Sequence, residues 1–226
     1  MWDGLAAADP RLAWQAVEGF EPADAAGADV IVFYDMPGIE FTRADPPAVY
    51  TAPSAAFIDG FRSLLDEGQP MVFLHHAIAG WPAWPEFAGL LGARFDYERS
   101  GYRHDVEQQI TVADPQHPVC AGLPPKFRLT DEAYLFEVDE AAVTPLLRSD
   151  YDFVDTNFYS ADRAIRGARD SRDGWSHPPG SNLVAWTKRA GNSPIVYLQP
   201  GDGPSAYENP NFRLLLANAI SWVADA

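Results

Sequence analysis

Two histidines, His75 and His76, directly follow the apolar run Met71-Val72-Phe73-Leu74. The run is too short for a helix and is bounded by Gly68 and Pro70, so it reads as a strand buried on both faces of a sheet. Titratable groups at the carboxyl end of such a strand lie where open α/β sheets collect their ligands. Imidazole at that place can act as a general base, a proton shuttle or a metal ligand, and equally as a hydrogen-bonded core residue. Adjacent side chains on extended backbone point to opposite faces, so one histidine is expected to act and the other to support it, with His76 favoured for the acting role. Trp81 and Trp84 come next. Their indole faces suit either the apolar C–H face of a sugar ring or the packing of a core.

Other groups could complete such a site. Asp35 follows the apolar segment Asp29–Tyr34 and is a second candidate for the ligand edge. In Thr130-Asp131-Glu132-Ala133-Tyr134, paired acids beside a tyrosine can serve as general acid or base, or orient a histidine. The same acids at a loop-to-strand junction would also serve as caps or solvated turn residues. Asp202 lies between Gly201 and Gly203, after the apolar run Pro194–Leu198, where glycines let backbone amides approach a ligand. His177, with Trp175 and Pro178-Pro179, reads as part of a flap within the loop-like stretch from Asn157 to Gly180. Arg163, Arg166, Arg169 and Arg172 recur every third residue, but the interspersed Asp162, Asp170 and Asp173 favour a solvated, salt-bridged face over an anion site. Cys120 has no activating partner nearby and reads as a small buried filler.

The elements that must position these groups follow from local pattern. Phe57, Phe61, Leu64 and Leu65 recur at helical spacing between Pro53 and Glu67, which predicts a crossover helix leading into the histidine strand. Strand, helix, strand then predicts two parallel neighbours in one sheet. A short helix is expected from Pro85 to a glycine stop at Gly92, and a strand with one wet face over Arg103–Val112. Asn182–Trp186 and Pro194–Leu198 read as a hairpin. A last helix starts at Asn209-Pro210 and carries Phe212, Leu215, Leu216, Ala219, Ile220 and Val223 on one face. Met1–Val17 is patterned as a helix interrupted at Asp9-Pro10, and Thr42–Thr51, with its prolines, as a surface excursion.

Composition limits the partners. The chain has 226 residues, 47% of them hydrophobic, enough for a sizeable core in a single domain spanning 1–226. Its 32 acidic residues against 16 basic ones leave a net charge of -16, which disfavours nucleic acid and anionic membrane surfaces as partners and suits a neutral or cationic small molecule. A single cysteine, no leader pattern and no apolar run of membrane length make the cytoplasm the expected compartment.

Taken in order, several segments resemble the ThuA (trehalose-utilisation) family over nearly the whole chain. They are Val32-Phe33-Tyr34-Asp35, Val72–Ala77 with Trp84–Phe87 and Leu91–Phe95, His117-Pro118-Val119 with Gly122-Leu123, Thr130–Tyr134, and Asn209–Phe212 to Trp222. The resemblance implies an α/β fold with a flavodoxin-like, open, mostly parallel sheet flanked by helices, related to class I glutamine amidotransferases. Those enzymes place a nucleophilic cysteine near the position of the histidine pair. No cysteine stands there, which excludes amidotransfer through a thiolate. The family's usual first strand and its glycine-and-histidine loop are missing, so neighbouring ladder groups would be exposed and association with another copy is expected. Where much of the family has a histidine between glycines, this chain has Asp202.

The resemblance further implies sugar catabolism, including trehalose-type disaccharides and their 3-keto derivatives. The resulting expectation is an enzyme that removes a proton next to a carbonyl, leading to isomerisation or glycosidic cleavage. In it His76 is base or metal ligand, supported by His75, and Asp131 or Glu132 is its partner or the acid. Asp202 is a further polar ligand, Trp81 and Trp84 form the ring platform, and Asp35 and Tyr134 also contact substrate. A divalent metal polarising the carbonyl would fit histidine plus carboxylates, with His76 and Asp202 as candidate ligands, although no H-x-x-x-H or C-x-x-C spacing demands one. The alternative is a non-catalytic carbohydrate-binding or regulatory protein that keeps the cleft of an enzyme fold.

Overall fold

The computed structural model describes residues 11–42 and 45–226. Its strands are β1 Ile31–Phe33, β2 Ile39–Phe41, β3 Ala48–Tyr50, β4 Met71–Leu74, β5 Ala93–Arg94, β6 Gly101–Val112, β7 Lys126–Leu135, β8 Glu137–Val138, β9 Thr144–Ser149, β10 Tyr159–Ser160, β11 Leu183–Ala190 and β12 Ser193–Leu198. Its α-helices are α1 Ala55–Glu67, α2 Pro85–Leu91, α3 Ala161–Ile165, α4 Pro204–Glu208 and α5 Pro210–Asp225.

The histidine strand lies deep in the sheet because it has nothing polar to show water. Every residue of β4 is buried, and alternate side chains enter different cores: Met71 and Phe73 join one cluster, Val72 and Leu74 the other. β12 repeats the alternation, with Ile195 and Tyr197 on the first side and Val196 and Leu198 on the second. Phe57, Phe61 and Leu65 of α1, with Phe87 and Leu91 of α2, cover the first side, and the buried face of α5 covers the second. This is the period-two signature of strands sandwiched between helices. Ser54 caps α1 by accepting from the Phe57 amide at 3.0 Å, and Gly68 ends it in the left-handed conformation, φ 85°.

The main sheet runs β1-β4-β12-β11-β9-β6-β10, with β7 paired to β6. β1, β4 and β12 are parallel, as the α1 crossover predicts, and the remaining pairs are antiparallel. The α/β class with an open, helix-flanked sheet therefore holds, but the sheet is mixed rather than mostly parallel, its parallel part concentrated where the histidines emerge. β1 is an edge, and no strand precedes it among the described residues.

Three local expectations are corrected. Arg11–Val17 form no helix, while Met1–Pro10 lie outside the described residues. Leu12 and Trp14 instead pack on the α5-side core, where tertiary burial outweighs an alanine-rich pattern already broken by proline. The Thr130–Tyr134 segment is no loop junction but the interior of β7, a ten-residue strand. The stretch Asn157–Gly180 contains β10 and α3. Its Arg166 pairs with Asp162 at 2.8 Å, in keeping with a salt-bridged face.

Candidate functional site

At the end of β4 the chain turns abruptly into a 3-10 turn, His75–Ala79, and His75 takes φ 40°. A β-carbon makes that region costly, so surrounding contacts must hold it. The Tyr197 hydroxyl donates to the His75 carbonyl at 3.2 Å, and the His75 ring lies against the Gln199 carbonyl, 2.6 Å from Nδ1. A carbonyl only accepts, so Nδ1 carries a proton and Nε2 points the other way, into the site. The turn also removes the opposition of faces expected on an extended chain. The rings of His75 and His76 lie 4.4 Å apart and serve one place.

β7 brings the acids. Its alternation sends Glu132 and Tyr134 to one face and Asp131 to the other. Glu132 lies 3.1 Å from His75 Nε2 through Oε2, and 2.8 Å from His104 Nδ1 through Oε1. His104, absent from the sequence-derived candidates, reaches this position through a bulge. Arg103 pairs with Ala133 and Val106 with Asp131, so His104 and Asp105 together oppose Glu132, with Asp105 at φ 51°. The Tyr134 hydroxyl meets His76 Nδ1 at 2.9 Å, and its main-chain amide donates to the Gln199 side chain at 3.1 Å, fastening β7 across the end of β12.

Asp131 does not partner a histidine. Its carboxylate accepts from the amides of Gly201 at 2.5 Å, Gly203 at 3.1 Å and Asp202 at 3.3 Å, holding the loop after β12. Gly201, at φ 135°, lets that loop pass close to His75: a β-carbon there would lie 3.1 Å from the Tyr207 hydroxyl and 3.7 Å from the His75 Cβ. The loop delivers Asp202, whose Oδ1 is 3.4 Å from His76 Nε2 and 3.7 Å from His75 Nε2. Tyr34, a second residue outside the sequence-derived set, donates to the Asp202 carbonyl at 3.3 Å, with its ring 5.2 Å from that of His76.

Other candidates lie elsewhere. Trp84 is 5% exposed and packs among Phe57, Phe61 and Phe87, and Trp81 lies against Phe57, so neither forms a platform beside the histidines. An indole next to an apolar helix face gains more from burial than from water. His177 is buried, with Nδ1 donating to the Pro178 carbonyl at 2.6 Å, a structural turn residue. Asp35 is exposed and caps its own turn by accepting from the Met36 amide at 2.8 Å, though its charge reaches His76. Cys120 is buried, and burial pushes its thiol up to about 11.

The cluster is electrostatically graded. Burial opposes charge on His75, but the hydrogen bond and charge of Glu132 outweigh it and raise the pKa. Burial also opposes charge on Glu132, yet His75 draws its pKa below the usual range. His76 is lowered to about 4, first by burial and then by His75, and Tyr34 is raised to about 12, chiefly by burial and by Asp202. Burial raises Asp131 against the pull of the glycine amides. One ligand atom from each of His75, His76, Glu132 and Asp202 lies within 4.8 Å of the others, a set able to hold a cation. Alongside opens a cavity of about 140 Å³ that includes Glu132 and Tyr134 and is otherwise lined by apolar and aromatic groups such as Phe95, Tyr97 and Tyr102.

Comparison with known proteins agrees with this arrangement of elements. A ThuA-like protein from Parabacteroides merdae superposes with a TM-score of 0.60 at 16% identity, over 94% of this chain and 77% of that one. Another from Bacteroides uniformis gives 0.59 at 20%, over 90% and 72%, and a cytoplasmic protein from Salmonella typhimurium gives 0.54 at 10%, over 94% and 77%. At these identities the likeness shows the fold alone. No curated protein matches the sequence. No helix among the described residues is long and apolar enough to cross a membrane. The model of the ThuA family, described as trehalose utilisation, matches residues 14–223, from the segment packed on the α5-side core into the last turn of α5, and the chain belongs to that family.

Proposed function

We propose that this protein is a sugar-catabolising enzyme that acts on an oxidised sugar, such as a 3-keto glycoside, by moving a proton next to a carbonyl. Membership of a trehalose-utilisation family supports a role in sugar metabolism. The observation that carries the reaction type is the convergence of His75, His76, Glu132 and Asp202, whose Glu132 also lines a largely apolar cavity. Proton abstraction next to a carbonyl needs a base at the carbon and a group that draws charge from the oxygen.

Asp202, 36% exposed, is the carboxylate a ligand reaches, and its Oδ1 already faces the imidazoles. It takes the proton from carbon, the electron pair moves onto the carbonyl oxygen, and His76 with Tyr134 stabilises the charge formed there. Return of the proton to the neighbouring carbon isomerises the sugar. Collapse of the enolate with loss of a glycosidic oxygen, which leaves as an alcohol after protonation, cleaves it. His75, Glu132 and His104 form the fixed floor on which this pair is held, and the aromatic cavity receives the ring.

The test is NMR of a panel of 3-keto glycosides and their parent sugars in deuterated water. The expected result is deuterium entering next to the carbonyl, with turnover that is lost in Asp202→Asn and His76→Ala and retained in Cys120→Ala. Saturable sugar binding with no deuterium uptake would instead make the protein a carbohydrate-binding module and overturn the reaction.

A further inference from the structure

We propose that His75 Nε2, His76 Nε2, Glu132 and Asp202 bind one divalent first-row transition-metal ion. The separations suit an ion. His75 Nε2 lies 3.1 Å from Glu132 Oε2, His76 Nε2 lies 3.4 Å from Asp202 Oδ1, and His75 Nε2 lies 3.7 Å from the same oxygen. Ligand atoms about 2.1 Å from a zinc-like ion stand roughly 3.0–3.4 Å apart in octahedral or tetrahedral geometry. These three edges fall close to this range, and all four ligand atoms lie within 4.8 Å of one another.

Proton accounting points the same way. The Nδ1 proton of His75 is committed to the Gln199 carbonyl, the arrangement by which metal-bound histidines are oriented from behind. His76 is held likewise, its Nδ1 occupied by the Tyr134 hydroxyl and its Nε2 turned to the common point. Glu132 is steadied from behind by His104 at 2.8 Å. Three of the four inward-facing groups thus have an outer partner that sets their direction, and the loop carrying the fourth, Asp202, is held through its main chain by Asp131.

Charge gives the third argument. Among the described residues, the ion pairs of Glu132 and Asp202 run only to histidines, with Asp131 buried just behind. Among the described residues no lysine or arginine ion pair balances these carboxylates, and a buried carboxylate such as Glu132 needs a counter-charge. A divalent cation supplies it. Two imidazoles with two carboxylates, and no thiolate, suit zinc, manganese, iron(II) or cobalt rather than calcium or copper(I).

The assignment deepens the reading of the cluster as the reactive site, since an ion there would draw charge from a carbonyl oxygen and leave the second oxygen of Asp202 for the proton. Binding is nevertheless measured without substrate. The 226-residue chain is stripped with a chelator, dialysed, and titrated calorimetrically with zinc and with manganese. Cobalt is added separately, and its visible absorption reports the ligand field. We expect one equivalent of saturable binding in wild type and His117→Ala, His117 being the cap of the Pro118–Cys120 turn. Loss of an outer partner alone weakens metal sites about 10–100-fold, so His76→Ala and Asp202→Asn should each weaken binding at least ~100-fold. Both positions are partly exposed, and circular dichroism checks that the variants fold; if one does not, the other decides. Undiminished binding in a folded variant, or binding only in weak, multiple equivalents, overturns the site and assigns the ions to the acidic surface. Turnover of a keto sugar that survives chelation would remove the ion and keep the proposed reaction. One tight ion with no turnover of any keto sugar would keep the ion and remove the reaction.

Discussion

The histidine pair at 75–76 and the tryptophans at 81 and 84 leave the same strand end, yet the two regions have opposite fates. His75 and His76 meet a glycine-rich loop and an acid-bearing strand, and the space between them fills with polar atoms. Trp81 and Trp84 meet the aromatic face of α1, and the space between them fills with rings. Chain position is the same in kind; what differs is the surface that folds onto it. Residue type sets what a side chain can do, and the packing partner chooses among those options.

Substitutions that separate packing from chemistry sharpen this contrast. Trp84→Ala should produce the largest loss of stability, about 3–5 kcal/mol by chemical denaturation, as for other buried aromatics. If the tryptophan were a substrate platform the loss would be small, and sugar affinity would fall instead. His76→Ala should do the reverse. It gives up one neutral hydrogen bond, about 0.5–1.5 kcal/mol of stability, but lowers turnover of a keto sugar about 10²–10⁴-fold in an NMR assay. Equal losses of stability in the two variants would break the comparison.

Asp131→Asn probes the boundary between the two kinds of residue. It weakens charge-assisted bonds to the Gly201–Gly203 amides, which should cost about 1.5–3 kcal/mol in a denaturation curve. Because the same loop carries Asp202, turnover should fall with it. A variant that loses stability with unchanged turnover would show that the loop stands without the clamp. The smallest effect is expected from His104→Ala, whose partly exposed contact with Glu132 is worth below about 1 kcal/mol by the same measurement. A larger loss would mean that Glu132 depends on its outer partner to stay in place.

Much of the framework was legible because it rests on local repetition. The four apolar residues of β4, the i, i+4, i+8 apolar residues of α1 and the Asn209-Pro210 start of α5 each carry their burial pattern within one short window. The pattern over Arg11–Val17 was misleading for the same reason: Leu12 and Trp14 pack by contacts remote in sequence, which a window cannot contain. Within the site, His75, His76, Glu132, Tyr134 and Asp202 were visible as residue types at element ends or beside acids. Their division of labour was not, and His104 and Tyr34 gave no local signal at all.

Residue order alone determined that an apolar strand would end in two imidazoles, that glycines would follow another apolar strand, and that no thiol could serve as a nucleophile there. Tertiary structure decided which acid of the Asp131–Glu132 pair faces the histidines, that a bulge brings in His104, and that a positive φ at His75 turns both rings to one side. The physical reason is range. Strand and helix patterns come from burial within a few residues, whereas strand register, a loop clamped by a distant carboxylate and a strained turn held by Tyr197 are set by partners the chain meets only when folded.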